Sequence, residues 1–309
     1  MFKDWDALEG IVVPLFSPLD KRERIIERDL RKLVRYLLAC GVHGFLAPSG
    51  TGEFFNLSPE ERRRTVEIVV GETQGRVPII AIAGACGTRE SLRLIEDARK
   101  AGADAVMATP PYYAVVDQGG LHSFFRTLAV EGGLPLWLYH QPGETKLSIE
   151  PETVAELAAI PEVVGIKVSA GPDLLYFHRV VRLLRTRPEF RIMVGEDYNC
   201  LSALVLGGHG AVVTLGNIIP ESFLGLWDAV RTGDLAAARR HQDRIMDVQE
   251  LLVFVKEGSS QSACKHILAH KKLFSTSSCA RPLPPLTEKA WASIERRAIA
   301  LGLVPRMRG

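Results

Sequence analysis

Eight short apolar runs, at 11–16, 44–47, 79–83, 105–108, 136–139, 163–167, 192–194 and 211–214, recur along the chain, and helical patterning fills the intervals between them. The runs are nearly continuous rather than alternating, so they read as strands buried on both faces, as in a parallel sheet. Eight β/α units of about 25 to 30 residues each imply an α/β fold, a closed (β/α)8 TIM barrel. Helix starts and stops support the spacing. Ser58-Pro59-Glu60-Glu61 supplies an N-cap, a proline in the first turn and acidic residues, and Thr88-Arg89-Glu90-Ser91 opens another helix. Gly41, Gly102 and Gly207 stand where helices need a left-handed terminus. The barrel is expected to occupy residues 1–233 as the catalytic part. Residues 234–309 add a C-terminal helical extension packed on it, with helical patterns at 234–256, 259–272 and 287–301 and a Ser/Pro-rich loop at 275–285.

Charge and cysteine content remove several function classes. A formal net charge of +2, with the basic residues dispersed, argues against nucleic acid or a membrane as partner. The densest basic run, Arg62-Arg63-Arg64, adjoins Glu60 and Glu61 and reads as a solvated helix face. Five cysteines without a CxxC pair fit neither a zinc site nor a disulfide framework. Met1 to Asp6 carries no apolar signal segment, which leads to the expectation of a cytoplasmic protein.

In a (β/α)8 barrel the residues at strand C-termini and in the following loops build the site. Those positions hold Ser49-Gly50-Thr51-Gly52-Glu53 after the second strand and Tyr112-Tyr113 after the fourth. Tyr139 and Lys167 end the fifth and sixth strands, and Glu196-Asp197 follow the seventh. Each residue also has a plain structural reading. Lys167 could end a strand by reaching water, Ser49–Gly52 could be only a turn, and the tyrosines could be packing residues. Glu53, just before Phe54 and Phe55, reads as a buried anchor that accepts hydrogen bonds. Together, an amine, phenols and an N–H-rich loop at one barrel mouth are what a 2-keto acid needs for imine chemistry.

The motifs Gly50-Thr51-Gly52-Glu53, Pro111-Tyr112-Tyr113, Tyr139-x-x-Pro142, Gly165-Ile166-Lys167 and Gly207-Gly208-His209-Gly210 give the chain a resemblance to the N-acetylneuraminate lyase and dihydrodipicolinate synthase superfamily. These are Schiff-base lyases of pyruvate and other 2-keto acids. The resemblance implies that Lys167 forms the imine and that Tyr139 shuttles protons. It implies that Thr51, with the N–H groups of Gly50 to Gly52, holds the keto-acid carboxylate, and that Val212 offers a backbone carbonyl nearby. Tyr113 resembles the tyrosine lent to a neighbouring subunit in a homotetramer, a dimer of dimers, and no metal or organic cofactor is implied.

Two positions depart from the synthase pattern. Gly50 stands where synthases and neuraminate lyases carry a relay hydroxyl, which Ser49 could replace only if the loop is reshaped, and Gly50-Thr51-Gly52-Glu53-Phe54-Phe55 instead resembles 5-dehydro-4-deoxyglucarate dehydratases. Glu144, with Lys146 two residues on, stands where synthases use an arginine. A carboxylate there disfavours an acidic aldehyde and prefers hydroxyl donors, unless Glu144 is only a solvated residue paired with Lys146. The resulting expectation is a Schiff-base lyase, aldolase or dehydratase, acting on pyruvate or a 2-keto-3-deoxy sugar acid. The alternatives are 4-hydroxy-tetrahydrodipicolinate synthase itself and a catalytically silent keto-acid-binding barrel. A phosphate-dependent isomerase fits poorly, because Gly207–Gly210 precedes the eighth strand and lies at the wrong face, where His209 reads as a structural residue.

Overall fold

The computed structural model describes residues 8–252 and 258–305; the Met1 to Asp6 segment and the end of the helical pattern drawn to Lys256 lie outside them. Strands and helices alternate in the first 231 residues. They run β1 (Gly10–Pro14), α1 (Glu27–Cys40), β2 (Gly44–Leu46), α2 (Pro59–Thr73), β3 (Ile79–Ile82), α3 (Thr88–Lys100), β4 (Ala105–Ala108) and α4 (Gln118–Gly132). The second half continues with β5 (Leu136–His140), the short α5 (Pro142–Thr145) and α6 (Pro151–Leu157), β6 (Val163–Val168), α7 (Leu174–Leu184), β7 (Arg191–Val194), α8 (Cys200–Val205), β8 (Gly210–Val212) and α9 (Pro220–Arg231). The eight strands are parallel and close in sequence order, β8 pairing back onto β1. The expected (β/α)8 barrel is present.

Local chemistry explains the boundaries. Ser58 and Glu61 form a reciprocal capping box at the start of α2, with Pro59 in its first turn. Leu30, Leu33, Val34 and Leu37 give α1 a buried stripe at helical spacing, and Gly41 ends it with φ 87°. Three strand pairs are stapled at the N-terminal face by a side chain lying just before the second strand. His43 Nδ1 accepts from Ile11 N at 3.0 Å, Asp104 Oδ2 from Ile79 N at 3.0 Å, and His209 Nδ1 from Ile192 N at 3.1 Å. This gives His209 the structural role expected for it.

Arg62 departs from the solvated reading. Its Nε donates to the Phe54 carbonyl at 3.0 Å and its guanidinium lies 4.9 Å from the Phe54 ring centroid. The loop after β2 therefore rests partly on α2. Arg63 and Arg64 do form the surface ion pairs expected of such a face, with Glu67 and Glu27.

Beyond the barrel come α10 (Leu235–Leu252), α11 (Ser260–His270) and α12 (Glu288–Ala300). Gln242 of α10 ties into the turn after β7, its Nε2 donating to the Asp197 carbonyl at 3.2 Å while its Oε1 accepts from Leu201 N at 3.0 Å. Lys265 of α11 reaches through the interior to the loop after β2, where its ammonium meets Glu53. Among the described residues, no helix is long and apolar enough to cross a membrane.

Candidate active site

The key pair is made by register. Leu136 pairs with Val163 but Trp137 with Gly165, so a bulge at Val164 advances β6 by one residue and places Lys167 opposite Tyr139. Without it Tyr139 would face Ile166, and alternation would turn Lys167 to the other side of the sheet. Gly165 follows from the same geometry. A Cβ there would lie 2.7 Å from Trp137 Cζ3 and 2.7 Å from the Arg191 carbonyl, so only glycine leaves room for the indole that fills the barrel below Tyr139. Lys167 Nζ donates to Tyr139 Oη at 2.8 Å and sits 4.1 Å from the ring centroid. Both side chains are buried. Gly195 clears space for the lysine stem, since a Cβ there would fall 2.6 Å from Lys167 Cε and 1.9 Å from Ser169 Oγ.

A cavity of about 740 Å³ opens over this pair, and Gly50, Thr51, Glu144, Glu196 and Thr214 are among its lining residues. Of the residues anticipated from sequence, Lys167, Tyr139, Gly50, Thr51 and Glu144 therefore converge on one space. Val212 lies beneath it in the packed interior with Met193 and Trp137. Tyr112 lines the cavity, whereas Tyr113 is 91% exposed and is not part of its wall. Glu144 stands exposed at the rim, and Lys146 turns its ammonium onto the Gly143 carbonyl instead of pairing with it.

Two loop residues need correction. Ser49 is fully buried; its hydroxyl donates to the Leu15 carbonyl at 2.9 Å and accepts from Gly52 N at 2.9 Å, so it neither reaches the cavity nor supplies the hydroxyl absent at Gly50. The same bond uses the Gly52 N–H, which leaves only those of Gly50 and Thr51 for a carboxylate. Gly52 is glycine for a packing reason, because a Cβ would approach the Leu15 carbonyl to 2.5 Å. Ser49 and Gly52 thus shape the loop and are not among the residues that line the cavity.

Sequence reasoning missed Thr214 and undervalued the β7 loop. Thr51 Oγ1 and Thr214 Oγ1 are 2.8 Å apart, so a hydroxyl from beyond β8 stands next to that of Thr51, in a loop where Gly50 supplies none. In the sequence Thr214 ends the eighth apolar run, which hides it. Glu196 and Asp197 bring two carboxylates to the wall. Burial lifts Glu196 to about 7, against the opposing pull of the Gly171 N–H and the Lys167 charge. Asp197 is also lifted by burial to about 7, opposed by the Leu215 N–H, bonded at 3.0 Å, and by Lys167. His140, next to Tyr139, faces the opposite side. It stacks on Tyr176 at 3.9 Å, accepts from Ile149 N at 3.3 Å, and is pushed by burial down to about 4, so it is a neutral packing residue near pH 7.

A closed parallel barrel with a buried amine and phenol at the C-terminal ends of adjacent strands defines a barrel enzyme whose chemistry sits at that mouth. The sequence model of the Dihydrodipicolinate synthetase family matches residues 7–300, and the chain belongs to that family. It is an enzyme of the lyase class. Among curated relatives, the 4-hydroxy-tetrahydrodipicolinate synthase of Neisseria meningitidis serogroup B is 32% identical over 300 residues, covering 96% of this chain and 99% of the relative. Among solved structures, a monomeric dihydrodipicolinate synthase variant superposes with a TM-score of 0.91 at 26% identity, covering 98% and 100% of the two chains. The dihydrodipicolinate synthase of Acinetobacter baumannii, solved with pyruvate, gives 0.89 at 28% identity over 96% and 100%.

Proposed function

We propose that the protein is a Schiff-base lyase that binds a 2-keto acid through Lys167 and breaks a C–O or C–C bond of a 2-keto-3-deoxy sugar acid. The observation that carries this reading is the buried 2.8 Å contact between Lys167 Nζ and Tyr139 Oη beside a cavity far larger than pyruvate. The neutral amine attacks the keto carbon to give a carbinolamine, and proton transfer to its hydroxyl releases water and leaves an iminium. Loss of a C3 proton then gives an enamine, which expels the C4 hydroxyl as water after protonation. Alternatively, the C4 hydroxyl of the iminium gives up its proton and the C3–C4 bond breaks into an aldehyde and the enamine, which is protonated at C3; in either case water then hydrolyses the iminium and frees Lys167. Tyr139 is placed to move these protons, and the N–H groups of Gly50 and Thr51 are placed to fix the carboxylate.

A second reading, 4-hydroxy-tetrahydrodipicolinate synthase, is favoured by the name of the relatives at 32% identity. Against it stand Gly50 and Glu144, the latter a poor neighbour for an acidic aldehyde. The family likeness further supports a cytoplasmic homotetramer in which Tyr113, solvent-facing in one chain, completes a neighbour's site; sedimentation tests this assembly.

Borohydride reduction in the presence of pyruvate is expected to add the keto acid irreversibly to Lys167, read by peptide mass, and Lys167→Ala to abolish both adduct and turnover. An unmodified Lys167 during turnover of a keto acid would refute the imine. Failure to complement a diaminopimelate auxotroph, with turnover of a keto sugar acid, separates the first reading from the second.

A further inference from the structure

The C-terminal extension supplies part of the cavity wall that strand-end logic does not anticipate. Gln249 of α10 and Ser260 and Gln261 in the first turn of α11 line the same space as Lys167 and Tyr139. Gln249 is only 4% exposed, and its side-chain carbonyl oxygen has no hydrogen-bond partner among the described residues. A buried amide atom without a partner is costly unless a bound group satisfies it. At the start of α11, Ser259 and Ser262 cap each other, each backbone N–H bonded at 3.1 Å to the other's hydroxyl. That box leaves the N–H groups of Ser260 and Gln261 without an intrahelical acceptor, as the first turn of any helix does.

These observations point to one chemistry. Among the described residues Lys167 is the sole cationic side chain in the wall, while Glu144, Glu196 and Asp197 line it as well. Among the described residues a second carboxylate on the ligand would meet these acidic groups and no counter-charge beyond Lys167. A hydroxyl instead donates to an amide oxygen or a carboxylate and accepts from an N–H. It also satisfies Gln249 whichever way the amide is turned, because it can be donor or acceptor.

We propose that Gln249 is a specificity-determining residue, recognising a hydroxyl on the uncharged distal tail of a 2-keto-3-deoxy sugar acid whose keto end is held at Lys167. This rests on the imine reading above and deepens it. The C-terminal extension is then part of the substrate site, and the ligand preferred is a keto aldonate over a keto aldarate, which ends in a second carboxylate.

The test compares three probes on the full chain and its Gln249→Leu and Gln249→Glu variants: a six-carbon 2-keto-3-deoxyaldonate, the corresponding aldarate, and pyruvate with borohydride. Gln249→Leu is expected to raise KM for the aldonate about tenfold, the scale of one neutral hydrogen bond, with a smaller change in kcat. That loss should exceed any change in pyruvate trapping, which also reports that the variant is folded. Gln249→Glu, which keeps an acceptor, should recover most of the loss. Equal losses on aldonate and pyruvate, or a parent enzyme that prefers the aldarate, would overturn the proposal. Absence of a pyruvate adduct in the parent would instead overturn the imine reading, so the two failures are distinguishable.

Discussion

Two lysines are buried among the described residues, and their surroundings separate reactivity from support. Lys265 is completely enclosed. Its ammonium meets Glu53 Oε1 and the Ser278 carbonyl at 2.9 Å, and the other Glu53 oxygen accepts from Ala280 N at 2.7 Å. Every charge in that cluster has a fixed partner, and both side chains are fully buried. Lys167, also buried, has the phenol of Tyr139 as its bonded partner and opens onto a large space. Its carboxylate neighbours Glu196 and Asp197 act on it through space, and each is bound to a backbone N–H of its own. A closed charge cluster holds elements together; an amine left with a weak partner and room above it can exchange that partner for a substrate.

Breaking the open pair should cost activity and leave stability nearly untouched. Tyr139→Phe is expected to lower kcat roughly 10²- to 10⁴-fold, the range for loss of a positioned proton-transfer group. Its urea midpoint should move little, since one hydrogen bond is lost, on the order of 1 kcal/mol. Turnover within a few-fold of the parent would remove Tyr139 from proton transfer.

Breaking the closed pair should do the reverse. Lys265→Met leaves Glu53 buried without its cation, and a loss of about 3–5 kcal/mol in urea unfolding is expected. Adding Glu53→Gln to that variant removes the stranded charge and should restore more than half of the loss. If the single variant is as stable as the parent, the pair is not the tie between α11 and the Thr51 loop. Glu53 immediately follows Gly52 and has φ 61°, a left-handed conformation uncommon for a residue with a side chain, so the cluster also fixes the backbone beside Thr51.

The contrast also marks what could be read from sequence. Barrel strands covered on both faces carry continuous apolar runs, so all eight were visible, and Lys167 and Tyr139 were recognised because each ends such a run. Glu53 was legible as an anchor from the phenylalanines after it, though its partner was not: Lys265 lies 212 positions away on a helix whose pattern looks ordinary. The bulge at Val164 has no composition signal, yet it decides which residue Tyr139 faces. Hydrophobic pattern identifies elements, and register and long-range contacts, which depend on the closed barrel, decide which polar atoms meet. Ser49 was misplaced for the same reason, its serine type fitting a ligand loop while its hydroxyl is bonded inward to Leu15.

The smallest expected effect lies in the pH response of the open site. The Glu196 carboxyl, ordinarily near 4.5, is raised by burial to about 7, so the folded protein binds more protons than the unfolded chain between those values. Stability from this group is complete below the ordinary value and is lost as pH rises through about 7. Glu196→Gln cannot titrate and removes that slope. Relative to the parent, the variant should gain stability between about pH 5 and pH 8, by on the order of 1–2 kcal/mol in urea unfolding. A difference that stays constant over that range would show that the proton held in the cavity wall is not on Glu196. The uncompensated carboxylate would then have to be sought at Asp197, whose 3.0 Å bond from Leu215 N belongs to the same wall.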